Sequence, residues 1–172
     1  MNGNKITVRL AGIAYESLVN GPGLRRVLFA QGCIHNCKDC FNPDTHCFDG
    51  GEDYDVEDLI KDIKGNPLLK GITFSGGDPL EQADKFAYIA VKAKETGLDI
   101  WSFTGYSYEH ILENAQKRTG WKEFLNSIDV LVDGKFISEL QDDGLRYKGS
   151  TNQRIIDVKD SLKLGAVVTL TY

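Results

Sequence analysis

The reactive chemistry of this sequence is concentrated in its cysteines. Cys33, Cys37 and Cys40 fall within eight residues, three residues separating the first pair and two the second. A short loop with those intervals can curl around a compact inorganic body and offer it three thiolates. On a cube of four irons, three ligands leave one iron free for an exogenous group. Cys47, seven residues past Cys40, is available as a fourth ligand. His35 and His46 open a different use, a structural Cys3His zinc site. An even number of cysteines also permits two disulfides. Grouped thiols without a secretory signal point instead to metal binding or redox chemistry, and 172 residues are enough for a core that needs no stapling.

Two further segments carry ligand chemistry. In Gly76-Gly77-Asp78-Pro79 the glycines let the backbone bend and approach a small ligand, and Asp78 adds an acceptor for a cationic group. The same residues also read as a strand-to-helix turn, with Asp78 as cap and Pro79 at the first helical position, where no donor is needed. Asp133 and Lys135 flank Gly134. There a carboxylate can accept from a hydroxyl and an ammonium can meet a carboxylate, unless both simply decorate a surface turn. Phe41, beside Cys40, can shield a metal centre, stack on a ring or fill core. His110, Trp101 and Trp121 read as structure.

These residues need elements to position them. Ile6–Tyr15 alternates around Val8 and Leu10, as an edge strand or arm would. Asn20-Gly21-Pro22-Gly23 is a turn. Val27–Ala30 is a short apolar run, a strand buried on both faces. Val56–Ile63 has apolar residues at 56, 59, 60 and 63, a helical period with Asp53 and Asp55 at its start. Gly71–Phe74 is a strand. Leu80–Lys94 is an amphipathic helix with apolar residues at 83, 86, 87, 90 and 91, stopped by Gly97. A strand over Leu98–Phe103, a helix over Tyr108–Ala115 and a strand over Ile128–Val132 follow. Ile155–Val158 and Ala166–Thr171 are strand-like, with no clear helix between them.

Alternating strand and helix predicts parallel βα units, with ligand sites at the C-terminal ends of the strands. The unusual segments 31–42, 75–80, 104–106 and 133–136 each follow a predicted strand, so all four should converge on one rim. A closed eightfold barrel typically needs about 250 residues. The expected fold is therefore α/β, an incomplete, open (β/α) barrel with a mostly parallel curled sheet. One domain spans 1–172, with 1–24 as an N-terminal arm and 145–172 as a C-terminal strand segment.

Twenty Lys and Arg against 25 Asp and Glu give a formal charge of −5, and no basic run suggests a nucleic-acid partner. The apolar stretches are too short to span a membrane. Met1 to Arg9 lacks the apolar core of a secretory signal, so the cytoplasm is the expected compartment.

The CxxxCxxC spacing after a strand resembles that of the radical S-adenosylmethionine (SAM) enzymes. The remaining blocks are similar to one branch, the activating proteins of anaerobic, class III ribonucleoside-triphosphate reductases, which are glycyl-radical activases. They are Asn20–Gly23, Gly32–Cys37, Cys40-Phe41-Asn42, Phe74–Leu80, Phe103-Thr104-Gly105-Tyr106, Asp129–Phe136 and Gly149–Arg154. The resemblance implies a barrel of the radical SAM type and a [4Fe–4S] cluster on Cys33, Cys37 and Cys40. SAM would be held by Gly76, Gly77 and Asp78 at its amino group, by Thr104 and Gly105 on the adenosine side, by Asp133 and Lys135 at ribose and carboxylate, and by Phe41.

The implied reaction is reductive cleavage of SAM to a 5′-deoxyadenosyl radical that takes hydrogen from a glycine of the reductase, with no side-chain general base. The electron would come from an external donor such as flavodoxin, ferredoxin or a thioredoxin system. An activase for another glycyl-radical enzyme, a peptide-modifying radical SAM enzyme and a zinc-stabilised adaptor are the alternatives. Two departures stand out. Asp39 replaces the branch's glycine, and no acidic residue lies near Ser102, where related activases often carry one. The segments 20–23 and 149–154 suit either partner binding or closure of the site.

Overall fold

The computed structural model describes residues 3–172. Seven strands form one sheet: β1 (Thr7–Ser17), β2 (Arg25–Ala30), β3 (Glu52–Asp55), β4 (Gly71–Gly76), β5 (Asp99–Phe103), β6 (Val130–Asp133) and β7 (Arg154–Asp157). Their order is β3-β1-β2-β4-β5-β6-β7. Five helices connect or follow them: α1 (Val56–Gly65), α2 (Ala83–Lys94), α3 (Tyr108–Asn114), α4 (Trp121–Ser127) and α5 (Val158–Leu164). The end strands β3 and β7 do not pair with each other, so the sheet stays open as expected.

The four inner strands β2, β4, β5 and β6 run parallel. Both flanks are antiparallel, β1 to β2 and β3 on one side and β7 to β6 on the other. The sheet is thus mixed rather than mostly parallel. The connection between β1 and β2 is too short for a crossover and permits only a hairpin, whereas each inner connection carries a helix. Nor is β1 an edge strand. The unanticipated β3 lies outside it, four residues of which three are acidic and only Tyr54 packs against the core.

Alternation sorts the strand residues onto two faces. Leu28, Ala30, Ile72, Phe74, Ile100 and Leu131 join the helices in the main core, with Phe86, Ile89, Trp121 and Phe124 as its largest helical contributors. The opposite face carries a smaller cluster of Trp101, Val130, Val132 and Ile155. Arg25 belongs to this second face and is wholly buried. Its guanidinium donates to Thr73 Oγ1, Pro22 O and Ile72 O, pairs with Asp99 and lies over the Trp101 ring. A buried arginine is tolerated only when its donors are satisfied in this way.

The helices follow from local signals. Asp55 caps α1 by accepting from the Asp58 amide, and Val56, Leu59, Ile60 and Ile63 form its buried stripe. Ser107 and Asp157 cap α3 and α5 in the same manner. The expected helix over 80–94 divides into a 3-10 turn at Pro79–Gln82 and α2. Its inward face turns towards Ile89 and Ala93, which are buried, while Val91 is exposed. Two helices were not anticipated, α4 and α5. In α5 a short Val158–Leu164 stretch is set by its Asp157 cap and by Gly165 in the left-handed region.

Candidate active site

The loops following β2, β4, β5 and β6 meet at one rim, around a cavity of about 620 Å³. Cys33, Cys37 and Cys40 line it together with Phe41, Gly76, Gly77, Thr104, Gly105 and Gly134. Cys47 does not line it and is exposed.

The cysteine loop is pinned by its own backbone. The Gly32 amide donates to Thr45 O and the Cys33 amide to His46 O, and the buried Gln31 amide group donates to Asp44 O and Cys47 O. Between the cysteines, Asn36 and Asp39 take left-handed φ of 49° and 55°. That conformation is most accessible to Asn, Asp and Gly, and it explains how an aspartate can stand at 39.

The Cys40 sulfur accepts from the Asn42 amide at 3.4 Å, while the backbone of His35 and of Phe136 favours the thiolates of Cys33 and Cys37. Burial pushes the Cys33 thiol up to about 11, opposed by the His35 amide and reinforced by Asp78, Cys37 and Cys40. Burial also raises Cys37, against the Phe136 amide and Lys135. Iron reverses this tendency, because metal ligation favours the thiolate and releases the proton. Three soft sulfur donors lining one cavity fit an iron–sulfur cluster. Among the described residues no three His, Cys, Asp or Glu side chains are gathered to hold a single ion.

The glycines mark where loops touch. At Gly76, φ is 94° and a Cβ would meet the backbone of Ala30 at 2.6 Å. A Cβ on Gly77 would stand 2.4 Å from Gly32 O, and one on Gly105 2.4 Å from the His35 ring. The Gly77 amide donates to Ala30 O and the Asp78 amide to Gly32 O, joining the β4 loop to the residue before Cys33.

Asp78 is fully buried and is not part of the cavity wall. Its carboxylate accepts from the Leu80 amide, capping the 3-10 turn, and from Thr104 Oγ1, the Gly105 amide and His35 Nε2. A carboxylate offers about four acceptor positions, so protein donors already occupy it. The Thr104 hydroxyl is correspondingly spent on Asp78, although the residue lines the cavity.

Asp133 and Lys135 also fall outside the lining, which between them includes only Gly134. Asp133 is buried and accepts from the Tyr108 amide and from Arg154 Nε and Nη2, at 3.0 and 2.5 Å for the latter pair. Arg154 also grips Glu109, whose carboxyl is thereby lowered. Lys135 is exposed. Phe41 lies 4.7 Å from Phe136, ring to ring, over Gly149.

Sequence reasoning missed how residues 149–154 act. Gln153 accepts from the Gly149 and Ser150 amides and donates to Gly134 O, while Asn152 donates to Lys135 O. The segment clasps the β6 loop, whose Gly134 and Phe136 line the cavity together with Cys37. His35 was weighed only as a metal ligand. No spacing rule links it to Asp78, 43 positions away.

Residues 19–156 match the family described as a 4Fe-4S single cluster domain. The chain is 41% identical over 146 residues to the anaerobic ribonucleoside-triphosphate reductase-activating protein of Vibrio cholerae, covering 80% of this chain and 90% of that protein. It is 38% identical over 144 residues to the protein of the same name from Salmonella typhi, covering 79% and 90%. The corresponding figures for the protein of that name from Enterobacteria phage T4 are 35% over 144 residues, 80% and 86%.

Proposed function

This chain belongs to the family of anaerobic ribonucleoside-triphosphate reductase-activating proteins, and from that premise we propose that it is a glycyl-radical activase whose protein substrate is the anaerobic reductase. The observation that carries the reading is the convergence of the three thiols and the Gly76-Gly77 backbone on one cavity at the ends of parallel strands. When bound, the [4Fe–4S] cluster supplies the electron that cleaves SAM to methionine and a 5′-deoxyadenosyl radical, which removes hydrogen from a reductase glycine.

The chain's own residues bind, orient and shield. Cys33, Cys37 and Cys40 would hold the cluster through their thiolates. The backbone of Gly76 and Gly77 receives the amino group, with Asp78 fixing that loop from beneath. Gly105 and Thr104 border the adenosine, and Phe41 covers the cluster side against solvent. Lys135, on a long flexible arm beside Gly134, reaches the methionyl carboxylate. Asp133 sets the β6 loop through Arg154, on the ribose side. No general base is required, since the hard chemistry belongs to the cofactors and the protein supplies position and exclusion of water.

No helix among the described residues is long and apolar enough to cross a membrane. We place the reaction in the cytoplasm, with flavodoxin, ferredoxin or a thioredoxin system as the electron source.

The test is anaerobic purification with measurement of iron and acid-labile sulfide, then reduction with SAM and the purified reductase. A brown protein with about four irons per chain, forming 5′-deoxyadenosine and a glycyl-radical signal on the reductase, is expected. A colourless protein with about one zinc per chain refutes the reading.

A further inference from the structure

We propose that His35 is a positioning residue that locks the cysteine loop to the SAM loop through Asp78. The role rests on the activase reading above and assigns a part of that site to a residue of the cysteine segment other than its three cysteines.

His35 stands two residues after Cys33 in the cysteine loop, and its imidazole Nε2 lies 2.7 Å from Asp78 Oδ2. A carboxylate only accepts, so Nε2 carries the hydrogen. The ring has little freedom. Its side chain is 6% exposed, the Tyr106 ring meets it edge-on at 4.4 Å, and Gly105 lies so close that a Cβ there would strike it.

Asp78 then spreads the connection. The residue closes the Gly76-Gly77 turn, and its side chain binds the Thr104 hydroxyl and Gly105 amide of the β5 loop. One buried carboxylate therefore ties together three loops, those carrying the cysteines, the glycine pair and the adenosine-side residues. A charge-assisted bond between buried side chains is stronger than its surface equivalent.

Backbone bonds from Gly77 to Ala30 and from Asp78 to Gly32 survive removal of the ring. The cysteine loop should therefore stay folded and keep its cluster, while its register against the SAM loop relaxes. The loss falls on cofactor placement, not on iron.

The test titrates the paramagnetic signal of the reduced cluster with SAM, beside iron content, in wild type, His35→Leu and His35→Gln. Leucine fills space without donating, whereas glutamine can return an N–H near the Nε2 position. His35→Leu is expected to keep its iron and bind SAM about tenfold more weakly, equivalent to about 1.4 kcal/mol, with His35→Gln within about threefold of wild type. The kcat for SAM cleavage should fall in His35→Leu as well, since misplacing the sulfonium affects more than affinity.

Equal affinity in all three proteins overturns the role, as does equal weakening in both variants, which would make the effect one of shape. If His35→Leu loses iron, Thr104→Val decides, because it removes the Asp78 donor on the β5 loop. Weakened SAM binding there supports the three-loop tie, and unchanged binding overturns it. A wild-type protein with a full cluster but no response to SAM overturns the functional reading itself, and the role with it.

Discussion

Gly77→Ala adds one methyl group at the place where the Gly76-Gly77 loop touches the cysteine loop. That Cβ would stand 2.4 Å from Gly32 O, 2.9 Å from Gly32 C and 2.9 Å from Thr45 O, against 3.4 Å for ordinary contact. All three atoms are backbone, so no side chain can swing aside. Gly32 O is also the acceptor of the Asp78 amide, and the methyl group would wedge that bond apart. Relief takes about 1 Å of loop separation, a displacement that can cost about a hundredfold in catalysis when it misplaces reacting groups. Overpacking typically destabilises by about 1–3 kcal/mol. At roughly 2–4 °C per kcal/mol for a chain of this size, Tm should fall by about 2–12 °C.

Gly97→Ala is the control. Gly97 has φ of 81° with nothing within 4 Å of its Cβ position, so it loses about 1–2 kcal/mol to left-handed strain alone. The assays are thermal unfolding of the metal-free protein and SAM titration of the reduced cluster. Gly77→Ala should lose both stability and SAM affinity, and Gly97→Ala only stability. An unchanged Tm and affinity in Gly77→Ala, or an equal loss of affinity in Gly97→Ala, refutes the described contact.

Serine at 33, 37 or 40 should lower iron content and abolish SAM cleavage, because a hydroxyl is a poor substitute for thiolate on iron; Cys47→Ser should do neither, and loss of the cluster there would make the site a four-cysteine one. Arg154→Ala leaves Asp133 buried with only the Tyr108 amide. Breaking a buried pair costs about 3–5 kcal/mol, and because Arg154 is one-third exposed roughly 2–3 kcal/mol is expected after allowance for solvent screening, read as a lowered denaturation midpoint. Lys135→Ala should keep fold and iron yet weaken SAM by about ten- to a hundredfold, the usual effect of losing a charge-assisted bond; unchanged titration makes Lys135 a solvent lysine. In metal-free protein, burial pushes Cys33 up to about 11. Its alkylation, followed by peptide mass, should therefore accelerate about tenfold per pH unit from pH 8 to 10, and a plateau near pH 8.5 would contradict the burial.

The sequence by itself determined the chemistry and most of the elements that carry it. Cysteine spacing is local, so the grouping of three thiols from Cys33 to Cys40 is legible without a fold. Continuous apolar runs such as Val27–Ala30 and periodic stretches such as Val56–Ile63 mark β2 and α1, because burial leaves its pattern in the residues. Where the period is too short to register, the elements were lost. In β3 three of four residues are acidic, and α5 spans two turns whose Leu162 and Leu164 remain exposed.

Tertiary structure alone decided how the polar residues are spent. Asp78 and Asp133 look available in sequence because each stands in a glycine turn. Folding brings Thr104, Gly105 and His35 to the first and Arg154 to the second, over separations of 21 to 43 positions. A buried carboxylate must find such donors or lose its hydration uncompensated. Which donors it finds depends on strand order, and strand order is set by connection length and packing across the whole sheet rather than by any local pattern.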